Sequence, residues 1–141
     1  MEFDWLALPR PRRLNPAEQA VLDRLVAHVG SPGLSAQAGQ AWVTAVCECG
    51  CGSVRLHTDA PALSPEAMAQ LSSTGRDDWF SVDSTRVDPT TATAGSEVQV
   101  RLFQVVLHIV AGSLYELEVF AGEGVAAQLP PPDDLTNLTV N

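Results

Sequence analysis

Lysine is absent from this chain, and all eight of its basic residues are arginines. That absence excludes Schiff-base chemistry at a lysine and the phosphate-gripping lysine of a P-loop. Positive charge is scarce as well: eight basic residues face seventeen acidic ones, for a formal net charge of −9. Residues 1–40 are balanced, so the whole excess lies in residues 41–141. Such a surface repels a phosphate backbone, which argues against nucleic-acid binding and suits a basic protein partner. Long apolar runs are missing too. Stretches such as Val105-Val106-Leu107 are far too short to span a bilayer, so no membrane association is expected. Near Met1 the chain carries Glu2 and Asp4 where a secretion signal needs basic residues. Cysteine occurs at only three positions, an odd number that does not fit a secreted disulfide scaffold. The expectation is a cytoplasmic protein.

What is present is enough apolar material for one core: 45% of 141 residues. The chain reads as a single domain over 1–141, with residues 1–14 as an extended lead-in that Phe3, Trp5 and Leu6 dock. Asn15, Pro16 and Glu18 form a capping-box start, and Val21, Leu22, Leu25, Val26 and Val29 make one apolar stripe of a helix that stops at Gly30. Leu34 to Gln40 is a candidate second helix, and Ser64-Pro65-Glu66 starts a short third one with Met68 and Leu71. Strands are expected at Ala41–Cys47, Ser53–Thr58, Trp79–Val87, Glu97–Val110 and Leu114–Phe120. In Glu97–Val110 the apolar phase changes between Leu102 and Phe103, which predicts a bulge near Phe103-Gln104 or a strand covered on both faces. Val110-Ala111-Gly112 suits a three-residue hairpin loop, after which Leu107 and Ile109 share a face with Tyr115, Leu117 and Val119. Residues 89–95 read as a mobile loop, Gly122-Glu123-Gly124 as a turn, and the Pro-rich tail 129–141 as a surface wrap unable to extend a sheet. The predicted fold is α+β: a single antiparallel sheet of four to five strands with the N-terminal helix packed on one face.

Three features carry chemistry. The first is Cys47-Glu48-Cys49-Gly50-Cys51, which holds every cysteine of the chain. Thiols at this density bind zinc or copper, form a redox pair, or pack a tight turn. The spacing is tighter than the usual zinc-ligand pairs, and His57, on the strand leaving the turn, is the best-placed fourth ligand. The tight spacing also predicts that the three side chains splay to alternate faces of a hairpin. The second is His108 with Glu116 and Glu118 on one polar sheet face, either a carboxylate-held general base or a solvent-facing cross-strand cluster. No serine, cysteine or aspartate is placed to complete a nucleophilic site, so no catalytic residue is assigned. The third is the set Trp5, Trp42, Trp79, Phe80, Phe103 and Phe120, which reads as core or as the lining of a cup for a small apolar ligand.

Taken together, Pro16 to Leu25, the Cys47–Val54 turn, Gly112 to Phe120 with its Leu-Glu-Val-Phe strand, and Pro130 to Leu135 resemble a family of small uncharacterised actinobacterial proteins. Members often have proline where this chain has Gly52. The resemblance implies a bacterial source and this order of elements along nearly the whole chain, and it brings no activity with it. The functional expectation is a non-enzymatic binding or accessory protein whose acidic surface meets a protein partner. The alternatives are a metal-binding or thiol-redox protein centred on Cys47, Cys49 and Cys51, or a carrier of a small apolar ligand.

Overall fold

The computed structural model describes residues 5–91, 98–122 and 126–141, with side chains over 5–86, 103–122 and 126–141. Phe3, residues 92–95 of the expected loop and residues 123–124 of the expected turn lie outside the described residues. The strands are β1 (Trp5–Arg13), β2 (Ala41–Cys47), β3 (Val54–Thr58), β4 (Trp79–Thr91), β5 (Val98–Val110), β6 (Ser113–Phe120) and β7 (Leu138–Val140). The helices are α1 (Pro16–Val29), α2 (Pro32–Gly39) and α3 (Pro65–Leu71), with a 3-10 turn at Pro132–Asp134. The fold is α+β with one antiparallel sheet in the order β1-β2-β3-β6-β5-β4-β7.

The sheet therefore has seven strands where four or five were expected, and both extra strands are edges. In β1 the register to β2 breaks between Ala7 and Arg12, where Pro9 and Pro11 sit. Proline cannot donate to a ladder, so an outer position is the one place such a sequence can pair. β7 lies at the opposite edge, and the tail therefore does extend the sheet: Val140 pairs with Val82 and Leu138 with Ser84.

Helix α1 forms where its caps demand. Asn15 Oδ1 accepts from Glu18 N at 2.8 Å, and Glu18 Oε1 accepts from Asn15 N at 2.9 Å. Glu18 is buried despite its charge because Arg12 of β1 meets both carboxylate oxygens, at 2.8 and 3.0 Å. Val21, Leu22, Leu25 and Val26 of α1 belong to one core cluster with Val43, Leu56, Phe80, Val82, Val105, Leu107, Ile109 and Leu117 of the strands. Each such large side chain taken out of water contributes about 1.5–3 kcal/mol before entropy is counted.

One polar strut crosses this core. Gln37 of α2 is fully buried; its amide donates to Gly112 O at 2.8 Å and Pro61 O at 3.1 Å, and its Oε1 accepts from Leu114 N at 3.0 Å. It ties α2 to the β5–β6 hairpin. That hairpin closes with two residues, not three: Val110 pairs with Ser113, and Ala111 and Gly112 both take positive φ, 51° and 86°. Two left-handed residues match the twist of the flanking strands.

The bulge offered for the phase change in β5 is not found. Pairing with β4 is unbroken from Trp79↔Val110 to Thr91↔Val98, so there is no bulge at Phe103-Gln104 on that side. On its other side β5 meets β6 only as far as Gln104↔Phe120. Beyond that point β4 and β5 continue as a two-stranded ribbon, and β4 runs through Pro89 to Thr91 where a loop was expected. The bulge lies instead in β6. His108 pairs with Glu116 but Ile109 pairs with Leu114, which leaves Tyr115 unpaired and exposed. Leu114, not Tyr115, joins Leu107 and Ile109 in the core.

Among the aromatics of the described residues only Phe80 is fully buried. The three tryptophans stay outside the core cluster because each is engaged by polar groups. Arg13 stacks 3.7 Å from the Trp42 ring, Arg55 4.5 Å from Trp5 and Arg76 5.3 Å from Trp79.

Candidate functional site

A second bulge determines where the cysteines go. In β2, Val43 pairs with Leu56 but Ala45 pairs with Arg55, so Thr44 is the extra residue. Side chains alternate along a strand, and one extra residue reverses the phase. Ala41 and Val43 accordingly belong to the core, whereas Ala45 and Cys47 share the opposite face with Arg55. Pairing carries that face across the sheet: Trp5 is opposite Cys47, Arg55 is opposite Glu116, and Glu116 is opposite His108. Both chemical clusters of the sequence therefore lie on one face, away from the helices' core.

The chain then turns. Gly50 N donates to Cys47 O at 3.2 Å, and Gly50 takes φ 83°, a left-handed conformation natural to glycine. The turn folds Cys49 and Cys51 back toward Cys47. Cys47 is buried, Cys49 exposed and Cys51 intermediate, and their three sulfur atoms all lie within 4.8 Å of one another. The sulfurs do not splay; they converge. The tail clasps the turn from below: Gly52 N donates to Ala127 O at 2.7 Å and Gln128 Nε2 to Gly50 O at 3.0 Å. A Cβ at Gly52 would stand 2.9 Å from Leu129 N, so glycine is required there for close approach. Ser53 fixes the other side, its Oγ accepting from Val119 N at 2.9 Å.

Cys47 Sγ and Cys49 Sγ are 2.8 Å apart, and Cys51 N lies 3.4 Å from Cys49 Sγ. Burial, and then the hydrogen bond to Cys49, push the Cys47 thiol up to about 12. Cys49 moves below the ordinary thiol value, chiefly because Cys47 donates to it. The two sulfurs thus differ in proton affinity, the buried Cys47 holding its proton more tightly than the exposed Cys49. The sulfurs face a cavity of about 230 Å³ lined also by Trp5, Glu116, Glu118 and Phe120. Its lining is mixed, thiol and carboxylate together with aromatic carbon, and is not a purely apolar cup.

His57 stands elsewhere. It pairs with Trp42 near the far end of β3, and its Nε2 lies 3.2 Å from Asp59 Oδ1. It is not one of the residues whose ligand atoms converge with the sulfurs. Sequence order puts His57 close to the turn, but β3 carries it away along the strand.

His108, Glu116 and Glu118 do come together, with ligand atoms within 4.8 Å of one another. Trp79 Nε1 donates to His108 Nδ1 at 3.3 Å, and His108 Nε2 bonds Glu118 Oε1 at 3.0 Å. An indole N–H only donates, so Nδ1 is the acceptor and the ring hydrogen sits on Nε2. A metal at Nε2 would require the hydrogen to move to Nδ1, directly against the indole N–H. Glu116 is also engaged, by Arg55 Nε at 3.4 Å. Its carboxyl is pushed above the ordinary carboxylate value by burial and then by the charge of Glu118. As a ligand set this group is locked by its neighbours, whereas the sulfurs bond only to one another and to one backbone N–H. Tyr115 and Trp79 complete its surroundings, although the sequence pattern placed Tyr115 on the core face and Trp79 among the core or cup-lining aromatics. The exposed Tyr115 became visible only with the β6 bulge.

No helix among the described residues is long and apolar enough to cross a membrane. Compared with protein-family models, with curated proteins and with solved structures, the chain matches none.

Proposed function

We propose that this protein is a non-enzymatic accessory protein that binds a thiophilic ion, zinc or copper(I), through the thiolates of Cys47, Cys49 and Cys51. The observation that carries this reading is the convergence of three sulfur atoms within 4.8 Å of one another at the mouth of a cavity. Zinc–sulfur bonds of about 2.3 Å in a tetrahedron separate the sulfurs by roughly 3.8 Å. That spacing falls between the 2.8 Å of the Cys47–Cys49 pair and the 4.8 Å within which all three sulfurs lie. Copper(I) is satisfied by soft thiolates in low number, so no fourth protein ligand is needed for it. For zinc a fourth ligand would come from water or from the cavity that the cysteines share with Glu116 and Glu118.

The test is elemental analysis of chelator-free protein, followed by titration of the reduced protein with zinc and with copper(I). One equivalent bound by wild type and lost in Cys47→Ser, Cys49→Ser and Cys51→Ser supports the site. Three freely titrating thiols with less than a tenth of an equivalent of either metal removes it.

A protein partner is the second reading, favoured by the net charge of −9 together with the exposed Val110, Tyr115 and Phe120 on the face that carries the cysteines. An ion held by three thiolates at a surface is well placed for transfer to such a partner. Binding of a basic partner weakens steeply with salt, and salt-insensitive behaviour with no partner recovered would count against this part.

A further inference from the structure

Three facts about the cysteine turn go beyond ion binding. Two of its sulfurs are already 2.8 Å apart, and closing to a disulfide length of about 2.05 Å takes less than 1 Å of movement. The two differ in access: Cys49 is exposed and Cys47 is buried behind it. The turn that brings them together is held at both ends, by Gly50 N on Cys47 O and by the 127–128 clasp, so the approach does not depend on a chance loop conformation.

We infer that Cys49 and Cys47 form a thiol–disulfide exchange pair for low-molecular-weight disulfides, Cys49 attacking and Cys47 resolving. The chemistry balances in two displacements. Cys49, as its thiolate, attacks one sulfur of a disulfide RSSR; the S–S bond of the reagent breaks, one RS⁻ leaves, and a mixed disulfide stands on Cys49. Cys47 then loses its proton and attacks Cys49 Sγ, which forms the Cys47–Cys49 bond and expels the second RS⁻. The two protein sulfurs give up two electrons, the reagent takes them, and the two thiol protons end on two molecules of RSH. The order is dictated by access. A reagent reaches the exposed Cys49 from solvent, and Cys47 is the sulfur that waits beside it. Cys51 is not required for this pair: the 2.8 Å contact joins Cys47 and Cys49, while the Cys51 sulfur lies within 4.8 Å of both.

The oxidised turn has one thiol left and cannot hold an ion through three thiolates. That exclusion rests on the ion-binding proposal above, while the exchange itself does not. Oxidation thus acts as a release for the ion, and reduction by a thiol restores the site.

The experiment uses the full chain, reduced and metal-free, mixed anaerobically with oxidised glutathione, acid-quenched and weighed intact. Wild type is expected to lose two hydrogens and keep one titratable thiol. Cleavage after Glu48 should leave the Cys47 and Cys49 peptides linked. Cys51→Ser should behave the same way, whereas Cys47→Ser should stop at a persistent glutathione adduct on Cys49. A wild type that stops at glutathione adducts overturns the inference. So does an internal disulfide that forms equally fast in Cys47→Ser or Cys49→Ser. Circular dichroism of each variant separates loss of the pair from loss of the fold. The same reaction after addition of zinc alone distinguishes the two proposals. Slowed oxidation supports both, and unchanged oxidation leaves the exchange standing and sinks the ion site.

Discussion

Cys47 Sγ stands 2.8 Å from Cys49 Sγ, with the first sulfur buried and the second at the surface. Their proton affinities are split in the same sense: Cys47 is pushed up to about 12 by burial, and Cys49 is lowered by the bond it accepts. Alkylation rates should show that order. With iodoacetamide at neutral pH, Cys49 is modified first and Cys47 last, and denaturant erases the difference. Peptides cut after Glu48 report the two rates separately. Equal rates in the folded chain would contradict the assignment of the proton to Cys47.

Glu116 gives a pH-dependent prediction. Its folded-state value lies above the ordinary 4.5, so its contribution to stability is full below that value and is lost as pH rises through the folded-state value. Glu116→Gln cannot ionise, yet keeps an oxygen for Arg55. The variant should melt at a higher temperature than wild type at neutral pH. The gap should close in acid below the ordinary carboxylate range. Parallel melting curves at all pH values would show that Arg55 fully compensates the buried charge.

The Gln37 strut makes a prediction about stability without touching the thiols. In Gln37→Leu the Leu114 N–H loses its acceptor while remaining buried. A buried unpaired backbone donor costs about 1–3 kcal/mol. Chemical denaturation should report a loss in that range, with ion binding retained.

Turn chemistry at the β5–β6 hairpin supplies a contrasting pair. Gly112 has φ 86°, and a Cβ there would run into the Leu63 backbone. Gly112→Ala should destabilise by more than about 1 kcal/mol. Ala111 holds φ 51° with a side chain in place. Ala111→Gly removes that strain and should leave stability equal or raised by up to about 1 kcal/mol. Both values come from the same denaturation curves.

Local signals in the sequence were read correctly where they are self-contained. The Asn15–Glu18 capping box, the α1 stripe and the Ser64 start of α3 depend on residues within a turn of each other, and each is found in place. The edge strands were illegible because nothing within Trp5–Arg13 or Leu138–Val140 marks them as strands. They become strands through partners that lie far away in the chain, Trp5 with Cys47 and Val140 with Val82, and Pro9 and Pro11 of β1 argue locally against pairing. The convergence of the cysteines was hidden for a related reason. It follows from one unpaired residue, Thr44, and from a left-handed Gly50, and neither leaves a trace in residue periodicity. Tyr115 was assigned to the wrong face because the β6 bulge sits one residue from the position where the alternation still looks regular. His108, Glu116 and Glu118 were grouped correctly, since strand alternation alone brings them to one face.

The clasp on the cysteine turn has a consequence for the order of biosynthesis. Gln128, which holds Gly50, lies 78 residues downstream of it. A ribosome delivers the three cysteines long before the segment that fixes their turn, and β7 must still close the far edge after that. During that interval the thiols are present on a nascent chain whose turn is untethered at Gly50 and Gly52. The arrangement of sulfurs described for the fold is therefore acquired only once residues 127–128 have been made and have docked, and loading or oxidation of the site belongs to the folded chain.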